Sequence, residues 1–127
     1  MIKKKVINST RIRCIKGGFA FIPHRFLTDG FLSDLNPDQL LLYLFLVLAA
    51  DRSGLSFYSY DKICSLLEMG LDQYIDARCA LIKKDLIAFD GTVFQVLSLP
   101  PTVKQEGRQL PSSLARLSQN MFKEITP

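Results

Sequence analysis

An eleven-residue run of apolar side chains near the middle of the chain limits most strongly what this sequence can fold into. The run extends from Leu40 to Ala50 and lies between Asp38 and Asp51. It is about half the length that a helix needs to cross a bilayer. Because the run is apolar nearly all round, we expect it to form the central, buried helix of a small domain.

The residues before this run are a strong helix start. Asn36 can cap the helix, Pro37 suits the first helical position, and Gln39 can complete a capping box. The acidic side chain of Asp38 complements the positive end of the helix dipole. The sequence therefore predicts a helix that begins at residue 37 and ends near Ala50.

Shorter elements follow this helix. Gly70 is expected to end one helix in a left-handed conformation, Asp72 to cap the next, and Asp90-Gly91 to form a two-residue hairpin turn. Apolar periodicity and turn residues predict a strand at 55–58, a helix after Ser59, a helix over 73–84, and strands at 86–89 and 92–97. Two helices and a hairpin thus follow the central helix.

Two flanking regions complete the predicted organisation. Residues 1–22 form an N-terminal arm with two short extended segments around Gly17-Gly18, residues 23–100 form the domain, and residues 101–127 form a linker and an amphipathic helix. The domain starts with a short helix over 23–35 that is interrupted at Gly30. The C-terminal helix carries one apolar stripe, at Leu114, Leu117, Met121 and Ile125, with Phe122 beside it.

The positive charge of the chain is concentrated in the arm. Residues 1–16 contain six basic side chains and no acid, whereas the other 111 residues contain ten basic and twelve acidic side chains. A basic arm of this kind can follow a nucleic-acid backbone or can simply keep a protein in solution. The six residues are Lys3, Lys4, Lys5, Arg11, Arg13 and Lys16.

Other residue types point away from enzymes, metals and secretion. Three cysteines without a C-x-x-C spacing, together with a single histidine, His24, do not predict a zinc site. We expect reduced thiols, with Cys64 and Cys79 buried as small apolar residues of helices. No signal peptide is apparent. We therefore expect a cytoplasmic protein that is not an enzyme and needs no cofactor.

The order of elements over residues 59–97 resembles the winged helix-turn-helix superfamily. The resemblance rests on two helices around Gly70, the segment Lys83-Lys84-Asp85-Leu86-Ile87 and the Asp90-Gly91 hairpin. The stretch from Phe21 to Pro100 is also similar to helix-turn-helix proteins of bacterial mobile elements and to N-terminal domains of replication initiators. The resemblance implies an α+β, mainly helical, winged-helix fold with an N-terminal extended arm and a C-terminal helix.

The resemblance also implies a function in duplex DNA binding, for transcription regulation or as an accessory factor of a mobile element or of replication. In such domains the third helix enters the major groove, and an arm or the hairpin (the wing) holds phosphates. Carried onto this chain, the third helix offers Gln73, Tyr74, Asp76, Arg78, Lys83 and Lys84, and the six basic residues of the arm would bind phosphates. Ile75, Leu81 and Ile82 are expected to face inward, and Tyr74 could lie on either side.

The charge of the domain supports a second hypothesis. From Asn36 to Pro100 there are eight acids and five bases, and the tip of the hairpin has no basic residue. Because DNA affinity depends largely on neutralised phosphates, such a domain also fits a protein-binding or scaffold module. The C-terminal stripe either packs back onto the domain or pairs with a second copy, which would make a homodimer. No membrane partner is expected.

Overall fold

Four helices and three short strands lie within residues 3–104, the part of the chain that the computed structural model describes. Together they form a small, mainly helical α+β domain whose element order is consistent with a winged-helix-like topology. The helices are α1 (Arg25–Thr28), α2 (Pro37–Ala49), α3 (Tyr60–Leu67) and α4 (Leu71–Lys83), and the strands are β1 (Leu55–Ser56), β2 (Ile87–Phe89) and β3 (Phe94–Val96). Short 3-10 turns lie at Ser9–Arg11 and Leu32–Asp34. The predicted C-terminal helix lies outside the described residues.

The start of α2 confirms the predicted capping box. The side chain of Asn36 accepts from the backbone N–H of Gln39 at 2.8 Å, and the Gln39 side chain accepts from the N–H of Asn36 at 3.1 Å. The helix is buried on one side only: Leu48, on its other side, is 76% exposed. The remaining elements are too few to surround it, so the prediction of burial all round is wrong. Within residues 3–104, no helix has the length and apolar character required to span a bilayer.

The turn between α3 and α4 differs from the prediction. The left-handed residue that ends α3 is Glu68, at φ 53° and ψ 52°, and its backbone N–H donates to Cys64. Gly70, at φ −71°, precedes the first residue of α4 and caps that helix. Asp72 therefore lies in the first turn of α4, where its charge faces the positive end of the helix dipole. The helix starts two residues earlier than expected.

Three antiparallel strands form one sheet in the order β1-β3-β2. Leu55 pairs with Gln95, and Phe89 pairs with Phe94. The hairpin turn between β2 and β3 therefore contains residues 90–93, and the expectation of a two-residue turn is wrong. The Asp90 carboxylate accepts from the N–H groups of Thr92 and Val93 at 2.8 and 2.7 Å, which favours the longer turn.

Glycine is required at the tip of this turn and at the start of β1. Gly91 has φ +101°, in the region that other residues rarely adopt. Gly54 has φ +87°, and a Cβ there would lie 2.6 Å from the carbonyl oxygen of Val96. The sheet can therefore close against the loop after α2 only with a residue that has no side chain.

The hydrophobic core lies between α2, α4 and the sheet. Its fully buried side chains include Tyr43 from α2, Ile63 from α3, Leu81 from α4 and Phe94 from β3. The ring of Phe26 in α1 stacks on Tyr43 with centroids 5.0 Å apart. This stack brings α1 onto the core. The helix predicted over 23–35 is present only as α1 and the 3-10 turn at Leu32–Asp34, which lie on either side of Gly30.

The arm has no strand between residues 3 and 22, so the two predicted extended segments do not form β-structure. A strand requires a neighbouring strand for its backbone hydrogen bonds, and the arm does not pair with the sheet. Residues 3–19 are exposed throughout. Residues 3–19 therefore do not pack onto α4, whereas Ala20 and Ile22 at the end of the arm pack against the core.

The segment after β3 stays attached to the domain beyond the predicted boundary at Pro100. The guanidinium of Arg25 donates to the carbonyl oxygens of Pro100 and Pro101 at 2.6 and 3.1 Å. Val103 packs against the core, and Lys104 forms an ion pair with Asp85 at 3.5 Å. Residues 99–104 thus cross from α1 to the C-terminal end of α4.

Candidate nucleic-acid interface

Helix α4 presents one face to the core and the opposite face to solvent. Tyr74, Ala77 and Leu81 are buried, at 2%, 2% and 0% exposure. Ile75 and Ile82 were expected to face inward, but they are 36% and 39% exposed. The expectation is wrong because the inward positions follow Tyr74 at the helical spacing of three and four residues, and neither isoleucine falls in that series.

Two of the predicted DNA contacts are structural residues. Tyr74 is part of the core, so its ring is not available to a ligand. The ammonium of Lys84 is held by the carbonyl and the carboxylate of Asp34, at 2.6 and 3.0 Å, and its side chain is 7% exposed. Lys84 therefore fixes the C-terminal end of α4 to the 3-10 turn at Leu32–Asp34. Neither residue belongs to a DNA-binding surface in this arrangement.

The other four predicted residues of α4 remain at the surface, two of them with intramolecular contacts. Gln73 accepts from the N–H of Gly70 at 2.7 Å and so helps to cap its own helix. The Arg78 guanidinium lies over the ring of Phe89, 4.9 Å from its centroid, and is half-buried. Asp76 and Lys83 are exposed. The four side chains can be reached from solvent, but only Arg78 and Lys83 are basic.

The tip of the β2-β3 hairpin is acidic. Backbone N–H groups of Val93 and Thr92 donate to Asp90, and they lower the pKa of its carboxyl below 3.8. The carboxylate therefore stays ionised at neutral pH. The turn residues 90–93 contain no basic side chain that could bind a phosphate.

One flank of the exposed surface of α4 is apolar, whereas Asp72, Asp76 and Lys83 lie opposite the core. Leu71, Ile75, Cys79 and Ile82 lie within an arc of about 80° on this helix. We call these four residues the outward face. All four are exposed, including Cys79, which was expected to be buried. The sequence interpretation missed this face because it assigned the isoleucines to the core, although the spacing of Tyr74, Ala77 and Leu81 could have revealed it.

The arm carries the main concentration of exposed positive charge. All six of its basic side chains are exposed, and within residues 3–104 none of them forms an ion pair. By contrast, Arg25, Lys84 and Lys104 of the domain each form an ion pair with an aspartate. Four of the six predicted α4 residues therefore remain accessible to solvent, but the structure does not bring the arm to them.

No protein family, no curated protein and no solved structure matches this chain.

Proposed function

We propose that this chain is a winged-helix protein that binds duplex DNA, as a transcriptional regulator or as an accessory factor of a mobile element or replicon. The observation that carries the proposal is the arm, with six exposed basic side chains next to a domain of winged-helix-like topology. Unpaired lysines and arginines release counterions when they neutralise phosphates, and this release supplies most non-specific DNA affinity.

In this mechanism, helix α4 contributes fewer basic side chains to DNA binding than the arm does. In a winged helix, the surface of the third helix that faces away from the core enters the major groove. Here that surface offers Arg78 and Lys83 for base edges or phosphates, whereas the apolar side chains between them suit thymine methyl groups. The exposed carboxylate of Asp76 would accept from the amino group of cytosine.

The proposal is tested by the salt dependence of binding to a random duplex, measured by fluorescence anisotropy. Replacing all six basic residues of the arm by glutamine should lower the slope of log K against log salt by up to about 5. The single substitution Arg13→Gln should lower it by about 1.

The matched control is Arg52→Gln, which removes one exposed positive charge from the loop after α2. It should leave the slope within about 0.3 of the original value. Absence of duplex binding by the full chain even at low salt would overturn the proposal.

A second candidate function, a protein-interaction module, is supported by one observation. The outward face exposes three large apolar side chains, Leu71, Ile75 and Ile82, on a helix with two acidic and two basic side chains. Exposed apolar patches of this kind are typical of protein-binding surfaces. Under this alternative, the full chain would not bind duplex DNA, and Ile75→Asp would abolish binding of the protein partner.

A further inference from the structure

The side of α2 that faces away from the core is apolar and exposed. Leu41, Leu44 and Leu48 lie within an arc of about 60° on this helix and are 42%, 37% and 76% exposed. We call these three residues the outer stripe of α2. No charged side chain lies between Asp38 and Asp51, so the stripe has no charge that would favour its contact with water. A helix that is apolar nearly all round is normally covered on all sides.

The end of the arm extends this apolar surface. Phe19 and Phe21 are 68% and 76% exposed, and they line a groove together with Leu48 and residues 50–54 of the loop after α2. An aromatic side chain buries about 150 to 250 Å² when it is fully covered. Together with the outer stripe, the two rings supply the apolar centre of a standard interface, which buries about 800 Å² on each partner.

The outer stripe has almost the same pattern in both chain directions, because its spacings are three and four residues. Two α2 helices can therefore lie antiparallel about a two-fold axis. This arrangement places Leu41 of one copy beside Leu48 of the other, and the two Leu44 side chains beside each other. Since the stripe carries no charge, the like residues that meet at the axis do not repel each other.

The two ends of α2 have complementary charges in this antiparallel arrangement. Asp38, in the first turn, lies beside the loop after α2 of the second copy. In that loop Arg52 is exposed and forms no ion pair within residues 3–104. The Asp51 carboxylate already accepts from two backbone N–H groups of its own loop, at 2.8 and 2.9 Å. An exposed ion pair adds little affinity, but it favours the antiparallel direction over the parallel one, in which the two Asp38 side chains would meet.

We propose that two copies of the chain form a two-fold symmetric dimer in which the outer stripes of their α2 helices pack antiparallel, with Phe19 and Phe21 at the edge of the interface. The inference does not rest on the proposed function. Helix α4 packs on the core side of α2, so its exposed surface stays open in the dimer. Because dimerisation is measured without DNA, failure to bind DNA and failure to dimerise are separate results.

Sedimentation velocity of the full chain over a range of concentrations tests the interface. The unchanged chain should be a dimer. Leu48→Lys should raise its dissociation constant by at least about 100-fold, because each interface contains this position twice and would bury the ammonium groups. The matched control is Leu66→Lys, at a 60% exposed leucine in the last turn of α3, which should leave the dissociation constant unchanged. A lysine in the last turn of a helix suits the helix dipole, so both variants should keep the circular dichroism of the unchanged chain.

Loss of the dimer with Leu48→Lys alone supports the proposal. A monomer at every concentration would overturn it. A dimer that resists Leu48→Lys would also overturn it, because the outward face of α4, residues 105–127 or another surface would then hold the two copies together. Equal loss with Leu66→Lys would show that the outer stripe is not the specific contact, and the proposal would fail.

Cross-linking tests the antiparallel direction. The exposed Cys14 and Cys79 are first replaced by serine. In Leu44→Cys, diamide should then join the two introduced thiols of a dimer in a disulfide, and the diamide takes up the two hydrogens that the thiols lose. Leu41→Cys should cross-link about tenfold more slowly, because its two copies lie about 10 Å apart along the helices. Equal rates for the two variants, or a faster rate for Leu41→Cys, would overturn the proposed arrangement.

Discussion

The basic side chains of the domain and those of the arm differ in their interaction partners. In the domain, Lys84 is fixed by Asp34 and Arg25 by the carbonyls of residues 99–101. In the arm, the basic side chains are exposed and form no ion pair within residues 3–104. The comparison indicates that a basic residue near a helix end can serve the fold alone, whereas the arm has charge to offer a ligand. Substitution of the held side chains in the domain should therefore lower stability and leave DNA binding unchanged. Substitution in the arm should lower DNA affinity and leave stability unchanged.

The largest effect on stability is expected at Tyr74. Its side chain is 2% exposed, so Tyr74→Ala leaves a cavity and should lower the free energy of unfolding by about 3 to 5 kcal/mol. The measurement is urea unfolding followed by circular dichroism. The neighbouring substitution Ile75→Ala, on the outward face, should cost less than about 1 kcal/mol. Similar losses for the two variants would contradict the assignment of the inward face.

The adjacent residues Lys83 and Lys84 separate the two roles within one helix end. Lys84→Met removes the hydrogen bonds to Asp34 and should lower stability by about 2 kcal/mol. The expected loss is no larger because the Asp34 side chain is 30% exposed and is therefore partly solvated. It should leave the salt slope of DNA binding unchanged. Lys83→Gln should do the reverse, lowering the slope by about 1 with little change in stability. An altered slope with Lys84→Met would place that residue in the interface after all.

A smaller loss of folding stability is expected on acidification, and it should come from carboxyl groups of the domain. Backbone N–H groups of Leu55 and Ser53 lower the pKa of Asp51, and those of Val93 and Thr92 lower the pKa of Asp90. Their contribution to stability is complete above the unfolded value of 3.8 and decreases as the pH falls through the lower folded values.

Urea midpoints measured from about pH 6 down to about pH 2.5 should reveal this loss. Asp90→Asn should make the decrease at acid pH shallower, since position 90 then no longer titrates. A decrease that is unchanged in this variant would show that Asp90 has no part in it.

The smallest effect on stability is expected in the arm. Arg13 is exposed and has no ion-pair partner in residues 3–104, so Arg13→Gln should change the free energy of unfolding by less than about 0.5 kcal/mol. The same substitution should reduce DNA affinity. A loss of stability above about 1 kcal/mol would mean that the arm is held by the fold, and the comparison would fail.

The sequence predicted those features that depend on neighbouring residues. The capping box of Asn36 and Gln39 is one, and the presence of a turn at Asp90-Gly91 is another, although that turn is longer than expected. Features that depend on the packed domain were harder to predict. Glu68 takes the left-handed position in place of Gly70, and Lys84 reaches Asp34 across fifty residues. No local pattern indicates a contact of that separation.

The candidate interface was predicted less well than the fold for a related reason. The prediction started the third helix at Gln73, whereas α4 starts at Leu71. Residue types alone placed Ile75 and Ile82 in the core because they are apolar. In the structure Tyr74 occupies the core side of α4, and the two isoleucines are partly exposed to solvent.

The contact of Arg25 with the carbonyls of Pro100 and Pro101 has a consequence for how the domain can be joined to other proteins. The start of α1 and residues 100–101 lie within the reach of one arginine side chain. Such adjacent ends suit insertion into a surface loop of a host protein, and they also suit circular permutation, since a short peptide can join them. Residues 23–101 should therefore tolerate new termini in the exposed hairpin turn at 90–93, with their original ends connected.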